Sequence, residues 1–246
     1  MNVTSLHNTS KLLGRWKTKI VDEELPHYGR NSLFFQNDEI TTGLMNNKTE
    51  IKIHLLTGQL LYFHNEEGFS VDLSTSDASG SNVNIHTAFS KLLSRNDVKG
   101  LELPPEIELG VITSEELSEY YAFAVKVRRC LELYRMKLNG HFTLLHLWPE
   151  GFDFSVEWFT SISPEEQIGV GISPRDDQNA FPYLYVNPYP FNLEVVKNEL
   201  PLGLWHTDSS SWNGIKVEWS DLEYLPESKV AEIIYELFSI SRKNFG

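Results

Sequence analysis

Between Leu33 and Leu73 the chain passes through five short apolar or alternating segments: Leu33-Phe34-Phe35, Ile40 to Met45, Ile51 to Leu55, Leu60 to Phe63, and Phe69 to Leu73. Asn46-Asn47, Thr57-Gly58 and Glu67-Gly68 separate the later ones, and these pairs favour the left-handed backbone of tight turns. A period of two directs alternate side chains to opposite faces of a sheet, and such short connections allow only antiparallel neighbours. An antiparallel meander is therefore expected, with one face that needs a cover.

Helices supply that cover. Leu6, Leu13, Trp16 and Ile20 recur at helical spacing after Thr4 or Ser5 as cap, although Gly14 is a poor helix former. Beyond the meander, Ser74 to Ser81 reads as a loop, and Ile85, Ala88, Phe89, Leu92 and Leu93 return to helical spacing. Gly100 to Gly110, with Pro104-Pro105 at its centre, reads as a connector.

The second half repeats the order. Thr113 to Glu116 fits a capping box, opening a helix with Leu117, Tyr121, Ala124, Val127, Leu131, Tyr134 and Leu138 on one stripe, stopped by Asn139-Gly140. Strands are expected at 142–147, 152–159, 168–172, 183–186 and 215–219, and Pro226 introduces a final helix. The fold class that follows is α+β, two similar helix–antiparallel sheet–helix halves packed together. The N-terminal half is 1–100, the C-terminal half 111–246, and 101–110 the Pro-rich connector. Without residue-level self-similarity, duplication stays a topological idea.

Composition narrows the partners. The 246 residues carry a net charge of −13, which disfavours nucleic acid phosphates and anionic membranes. The single cysteine, Cys130, forms no internal disulfide. No apolar run is long enough for a membrane span, and Met1 to Ile20 lacks a signal peptide's apolar core. A cytoplasmic protein is expected, with no cofactor and no metal. The acidity is local: His141 to Tyr224 holds 13 acids against 3 bases, together with five of the six tryptophans.

No phosphate-binding glycine loop, dinucleotide fingerprint, His-Glu-x-x-His or Gly-x-Ser-x-Gly motif is present. Cys130 lies within the long helix, where an inert thiol is the rule. Asp153 and Glu157 share one face of a strand, and carboxylates beside tryptophan suggest sugar hydrolysis. Four residues of strand nevertheless span roughly 13 Å, beyond the roughly 5 to 9.5 Å of glycosidase carboxyls, so each would need a partner such as Glu218 on another strand. The plainer reading makes Asp153, Ser155 and Glu157 a solvated face. Trp205 to Gly214 places His206, Asp208 and three serines between Trp205 and Trp212, either a polar-ligand pocket or a Ser-rich turn. The basic group Lys126, Arg128, Arg129, Arg135 and Lys137 is either an anion contact or a solvated helix face.

Several blocks carry a resemblance. Leu6-His7 with Gly14-Arg15, Pro26-His27-Tyr28, Glu39 to Gly43, His146 to Asp153, Gly169 to Pro174 and Phe181 to Pro190 follow one another in the order of an uncharacterised bacterial family, domain of unknown function 5996, which the chain resembles over most of its length. The family brings no assigned activity. The chain departs from its pattern at Glu165-Glu166-Gln167, where a His-Glu pair is expected, and at Arg30, where a second histidine is expected. If those histidines do chemistry in the family, this chain has lost it. The resemblance carries over His146, Trp148, Asp153 and His27 as matching positions without a role.

Two functions of different kinds follow. One is non-catalytic binding of a small polar ligand or a protein partner through the aromatic, acidic C-terminal half, with His27, Trp148, Trp205 and Trp212 as contacts. The other is a hydrolase-like enzyme using His146, Asp153, His206 and Asp208.

Overall fold

A computed structural model describes residues 3–21, 29–65, 67–73, 85–94, 101–105, 107–110, 112–160, 165–176, 178–208 and 212–245. The chain divides into two compact units, Met1–Ala124 with Leu147–Phe152, and Val125–His146 with Asp153–Gly246. Segment 101–110 lies inside the first unit, and the division falls within the long helix that follows it.

In the first unit, α1 (Thr4–Ile20) precedes β1 (Phe34–Gln36), β2 (Glu39–Thr41), β3 (Thr49–His54), β4 (Gln59–His64) and β5 (Glu67–Asp72), then α2 (Ile85–Leu93). The five strands form an antiparallel sheet in chain order, the meander that the alternation predicts. In β3, Thr49, Ile51 and Ile53 are buried while Glu50, Lys52 and His54 are not. Asn46 and Asn47 adopt left-handed backbone as expected, and Asn37 and Asp38 form a further two-residue hairpin turn. The turn expected at Glu67-Gly68 lies earlier, at left-handed Asn65, because Glu67 and Gly68 already pair with His64 and Phe63.

The cap of α1 comes from elsewhere in the chain. Val3 precedes the helix without a side-chain cap, and the Leu6 amide donates instead to Glu116 Oε1 at 2.9 Å. Gly14 is explained by a close approach: a Cβ there would stand 2.5 Å from Pro149 Cγ. Lys17 is 2% exposed, donates to the Ser32 carbonyl at 2.6 Å and lies 4.8 Å from the centre of the Phe34 ring. Burial pushes its ammonium down to about 8.

Helix α3 (Ser114–Arg135) begins as expected, the Glu116 amide donating to Thr113 Oγ1 at 3.0 Å. Its buried stripe carries Tyr120 rather than Tyr121, whose hydroxyl reaches Asp38 Oδ1 at 2.9 Å. His7, Phe152 and Tyr120 stack in parallel, with centroids 5.1 and 4.5 Å apart.

The chain continues through β6 (His141–Phe142), β7 (His146–Trp148), β8 (Asp153–Phe159), β9 (Gln167–Ser173), β10 (Tyr183–Tyr189), β11 (Leu204–Thr207) and β12 (Asn213–Glu218) to α4 (Glu227–Ser241). The single strand expected over 142–147 is two, interrupted where the Thr143 amide turns to the Glu157 carbonyl and its hydroxyl accepts the Glu157 amide. Strand β11 falls where the sequence suggests only loop. Strands of the second unit lie in the order β11-β12-β10-β9-β8-β6, all antiparallel. Phe154, Val156, Trp158, Ile168, Val170, Ile172, Leu184, Val186, Ile215 and Val217 form its apolar face. Helix α4 covers this face, with Phe238 edge-on to Trp158 at 5.5 Å.

The molecule is thus α+β, each half running helix, antiparallel strands, helix. Among the described residues no helix is long and apolar enough to cross a membrane.

Candidate functional site

The opposite face of the second sheet is polar, and its construction follows from the register. Ser155 on β8 pairs with Gly171 on β9, which pairs with Tyr185 on β10, which pairs with Lys216 on β12. One row along, Glu157 pairs with Gly169 and Gly169 with Asn187. At its polar-face positions β9 therefore offers hydrogen atoms where other strands offer side chains. A Cβ at Gly169 would stand 2.8 Å from Glu157 Oε2, and one at Gly171 would overlap the Tyr185 hydroxyl and the Phe154 carbonyl. The carboxyl of Glu157 and the phenol of Tyr185 lie down over this glycine floor.

That floor brings distant groups together. The Tyr185 hydroxyl donates to Asp153 Oδ2 and lies beside Ser155, whose Oγ donates to Glu157 Oε1 at 3.0 Å. Two carboxyls separated by four residues of strand are each held by a hydroxyl, and the two hydroxyls are neighbours. Ser155 is wholly buried and both acids are half-buried, so the face expected to be openly solvated is largely dry. Desolvation pushes Asp153 up to about 6 despite the Tyr185 hydrogen bond, and Glu157 up to about 7 despite Ser155, with the Asp153 charge adding to the rise. The same burial, with both acids nearby, raises the Tyr185 phenol well above its ordinary value.

Asp176 behaves in the opposite way. Burial acts to raise it, but hydrogen bonds from the Tyr183 hydroxyl, the Asn179 side chain and the amides of Gln178 and Asn179 outweigh that and hold it below the ordinary aspartate value. It is the site's firmly ionised carboxylate.

An aromatic group borders the acids. Trp212 lies 6.3 Å from Tyr183 with the planes 9° apart, and 6.0 Å from Tyr185 at 59°. His206 packs on Trp212 at 4.4 Å, and its Nε2 is buried without a hydrogen-bond partner among the described residues. Lys216 holds its ammonium 5.3 Å from the centre of the Tyr183 ring, 2.9 Å from Glu218 Oε1 and bonded to Asn179 Oδ1.

These placements regroup the sequence candidates. Asp153, His206 and Trp212 belong to one face, but Asp153 and His206 do not touch. His206, on β11, pairs with Gly214 on β12 and lies four strands from β8, roughly 19 Å, with Tyr185 and Trp212 between the two. Trp205, adjacent to His206 in β11, points to the other face, where its Nε1 donates to the Asn198 carbonyl at 3.0 Å and its ring meets Phe191. The grouping of Trp205 with Trp212 around one pocket is therefore corrected by strand alternation. Asp208 sits in the β11–β12 connection, its amide 3.4 Å from the Trp212 carbonyl. Glu218 lies three strands from β8, roughly 14 Å, and is paired with Lys216 instead of either acid. His146 is 5% exposed, Trp148 belongs to the first unit, and His27 lies outside the described residues.

Other expected sites have structural roles. Cys130 is fully buried, and burial pushes its thiol up to about 12. On the basic face of α3, Lys126 donates to the Glu223 and Leu225 carbonyls, Arg129 pairs with Glu227 at 3.7 Å and Arg135 with Glu132 at 2.8 Å. The first unit has a shallow cleft of ≈ 270 Å³ lined by Leu55 to Gly58, Ser114, Leu117, Ser118 and Tyr121, and it contains none of the sequence candidates. Among the described residues no three His, Cys, Asp or Glu side chains converge as a metal site.

Sequence reasoning missed Ser155, Gly169, Gly171, Tyr183, Tyr185 and Lys216. The available signal was β9 itself, where Ile168, Val170 and Ile172 alternate with Gly169, Gly171 and Ser173. Such a strand has one packed face and one floor on which neighbouring side chains lie. No family model, curated protein or solved structure matches the chain.

Proposed function

We propose that the protein is a non-catalytic binding protein that takes a small polar ligand on the polar face of its C-terminal sheet, against Glu157 and Tyr185 where they lie on Gly169 and Gly171, and beside Trp212. The observation that carries this reading is the pair of desolvated acids, Asp153 and Glu157, laid on a glycine floor next to an aromatic group. Keeping carboxyls in so dry a setting costs stability, and a ligand that hydrogen-bonds to them recovers part of that cost. The aromatic rings supply apolar contact area and the acids supply orientation, the mixture that small-molecule sites use. A cytoplasmic setting and kinship with domain of unknown function 5996 belong to the same proposal.

The test is a thermal-shift screen of the intact protein over sugars, polyols, amines, organic acids, nucleotides and metal ions, repeated with Trp212→Leu. A ligand that prefers the native state raises the unfolding midpoint. The reading expects at least one class to do so in the wild type and to lose the effect in the variant. No shift with any class, or a shift that Trp212→Leu leaves intact, overturns it.

One observation favours a hydrolase-like second reading. Asp153 and Glu157, bonded to the neighbouring hydroxyls of Tyr185 and Ser155, lie close enough for the Asp153 charge to raise Glu157, and paired acids roughly 5 to 9.5 Å apart work on glycosides. In this reading Glu157, the group pushed up to about 7, is the proton donor and Asp153 the base. Hydrolysis of chromogenic glycosides that disappears in Glu157→Gln would select it.

A further inference from the structure

Tyr183, Tyr185 and Trp212 stand at the corners of a nearly equilateral triangle, with centroid separations of 6.3, 6.0 and 6.3 Å. Some point above such a triangle lies roughly 4 to 5 Å from all three centroids, within the roughly 6 Å reach of a cation–π contact. Ring faces are the negative part of an aromatic side chain, and here two near-parallel rings, Tyr183 and Trp212 at 9°, stand beside a third, Tyr185, inclined to them by 50 and 59°, a grouping that favours a cation against it.

The surrounding charge has the matching sign. Asp176 is held ionised by the hydrogen bonds described above, Asp153 bonds to the Tyr185 hydroxyl, and Glu218 is paired with Lys216. A cation is already drawn to one wall: the Lys216 ammonium lies 5.3 Å from the Tyr183 centroid, tethered by Glu218 and Asn179. A primary ammonium, with three strong donors, is held by hydrogen bonds at the edge of the aromatic group. An alkylated ammonium has a larger, weakly hydrated surface that ring faces accommodate better.

Resting on the ligand-binding reading above, we infer that Tyr183, Tyr185 and Trp212 form an aromatic cage for an organic ammonium ion, with Asp153 and Asp176 supplying the countercharge and Lys216 acting as a built-in competitor. The ligand is a small molecule with an alkylated ammonium head, whose remaining polar groups lie against Glu157. Because Lys216 opposes a second positive charge at the same wall, its neutral replacement strengthens binding. A merely structural role for the lysine predicts no such gain.

The experiment titrates choline into the full-length protein at constant ionic strength, following tryptophan fluorescence and heat, with the neutral isostere 3,3-dimethylbutan-1-ol as control. Choline is expected to saturate below about 100 mM. The isostere should bind the wild type, and choline should bind Trp212→Leu, each about tenfold more weakly or worse than choline binds the wild type. Lys216→Met should bind choline several-fold more tightly. Equal binding of choline and its isostere, or unchanged affinity in Trp212→Leu, overturns the inference, as does weaker binding in a folded Lys216→Met. If Lys216→Met fails to fold, the isostere and Trp212→Leu comparisons decide alone. If choline fails while a neutral sugar or polyol stabilises the wild type and not Trp212→Leu, the cage is wrong and the ligand-binding reading stands. If no compound binds, both fall.

Discussion

Tyr185 and Asp153 meet across a strand that places no side chain between them: the phenol on β10 passes over Gly171 on β9 and donates to the carboxyl on β8. This contact makes a two-strand reach possible and ties the polar face into one network.

Gly171→Ala should therefore destabilise the protein. Its methyl group overlaps the Tyr185 hydroxyl and the Phe154 carbonyl, and overpacking of this kind costs about 1–3 kcal/mol. Urea unfolding of Gly171→Ala, Tyr185→Phe and the double variant checks the cause. The two changes should be partly non-additive, because Tyr185→Phe removes the hydroxyl contact while the ring Cζ and the Phe154 carbonyl, each 2.5 Å from the added carbon, remain. A stable Gly171→Ala would contradict the packing.

The raised acids give stability a defined dependence on pH. Asp153 moves from 3.8 to about 6 and Glu157 from 4.5 to about 7, so between these limits the native state holds more protons than the unfolded chain. Their contribution is fully present below about pH 4 and is lost as the pH rises toward 7, by up to about 1.4 kcal/mol per pH unit for each group inside its window. Stability should then be greater at pH 5 than at pH 8, and Asp153→Asn with Glu157→Gln should flatten the profile. Chemical denaturation across this range measures it.

Lys17 provides a second window of opposite slope. Its pKa falls from 10.5 to about 8 on folding, so the native state holds fewer protons there and the Lys17 contribution to stability rises with pH across that interval, opposed above about pH 9 by the raised Cys130 thiol and read as the difference between wild type and variant. Lys17→Met should abolish the alkaline gain. The same denaturation series, extended to pH 10.5, reads it.

Glu116 caps a helix far from it in sequence, accepting from the amides of Ser5 and Leu6 as well as that of Thr113. Glu116→Ala should cost about 1–2 kcal/mol, and Glu116→Gln less, since one acceptor remains. Equal losses would mean that the charge, not the hydrogen bond, carries the cap.

The sequence makes the strands more legible than the site, for a physical reason. Alternation in Ile51 to Leu55 or Phe154 to Trp158 reports local burial, and a turn pair such as Asn46-Asn47 reports local backbone conformation, so the meander and most second-half strands are readable. Strand β11 is not, because Leu204 to Thr207 has no fully buried residue and is held by pairing with β12. The site depends on register, which sequence spacing does not contain. Strand arithmetic separates Asp153 from Glu157 at the backbone, yet Gly169 and Gly171 leave room for their carboxyls to bond to two neighbouring hydroxyls, Tyr185 and Ser155. Likewise Trp205 and His206 are neighbours in the chain and face opposite ways in the sheet.

The central claim is that ligand binds over the glycine floor. Amide NMR spectra of the protein, taken with each compound that raises its unfolding midpoint, test this most directly because Gly169 and Gly171 report on β9 and Gly214 on β12, the two strands that flank β10 on that face. The account predicts saturable shifts at these glycines and at the Trp212 indole, with the Leu55 to Gly58 cleft of the first unit unmoved. Shifts confined to that cleft, or absent from all three glycines, would contradict it.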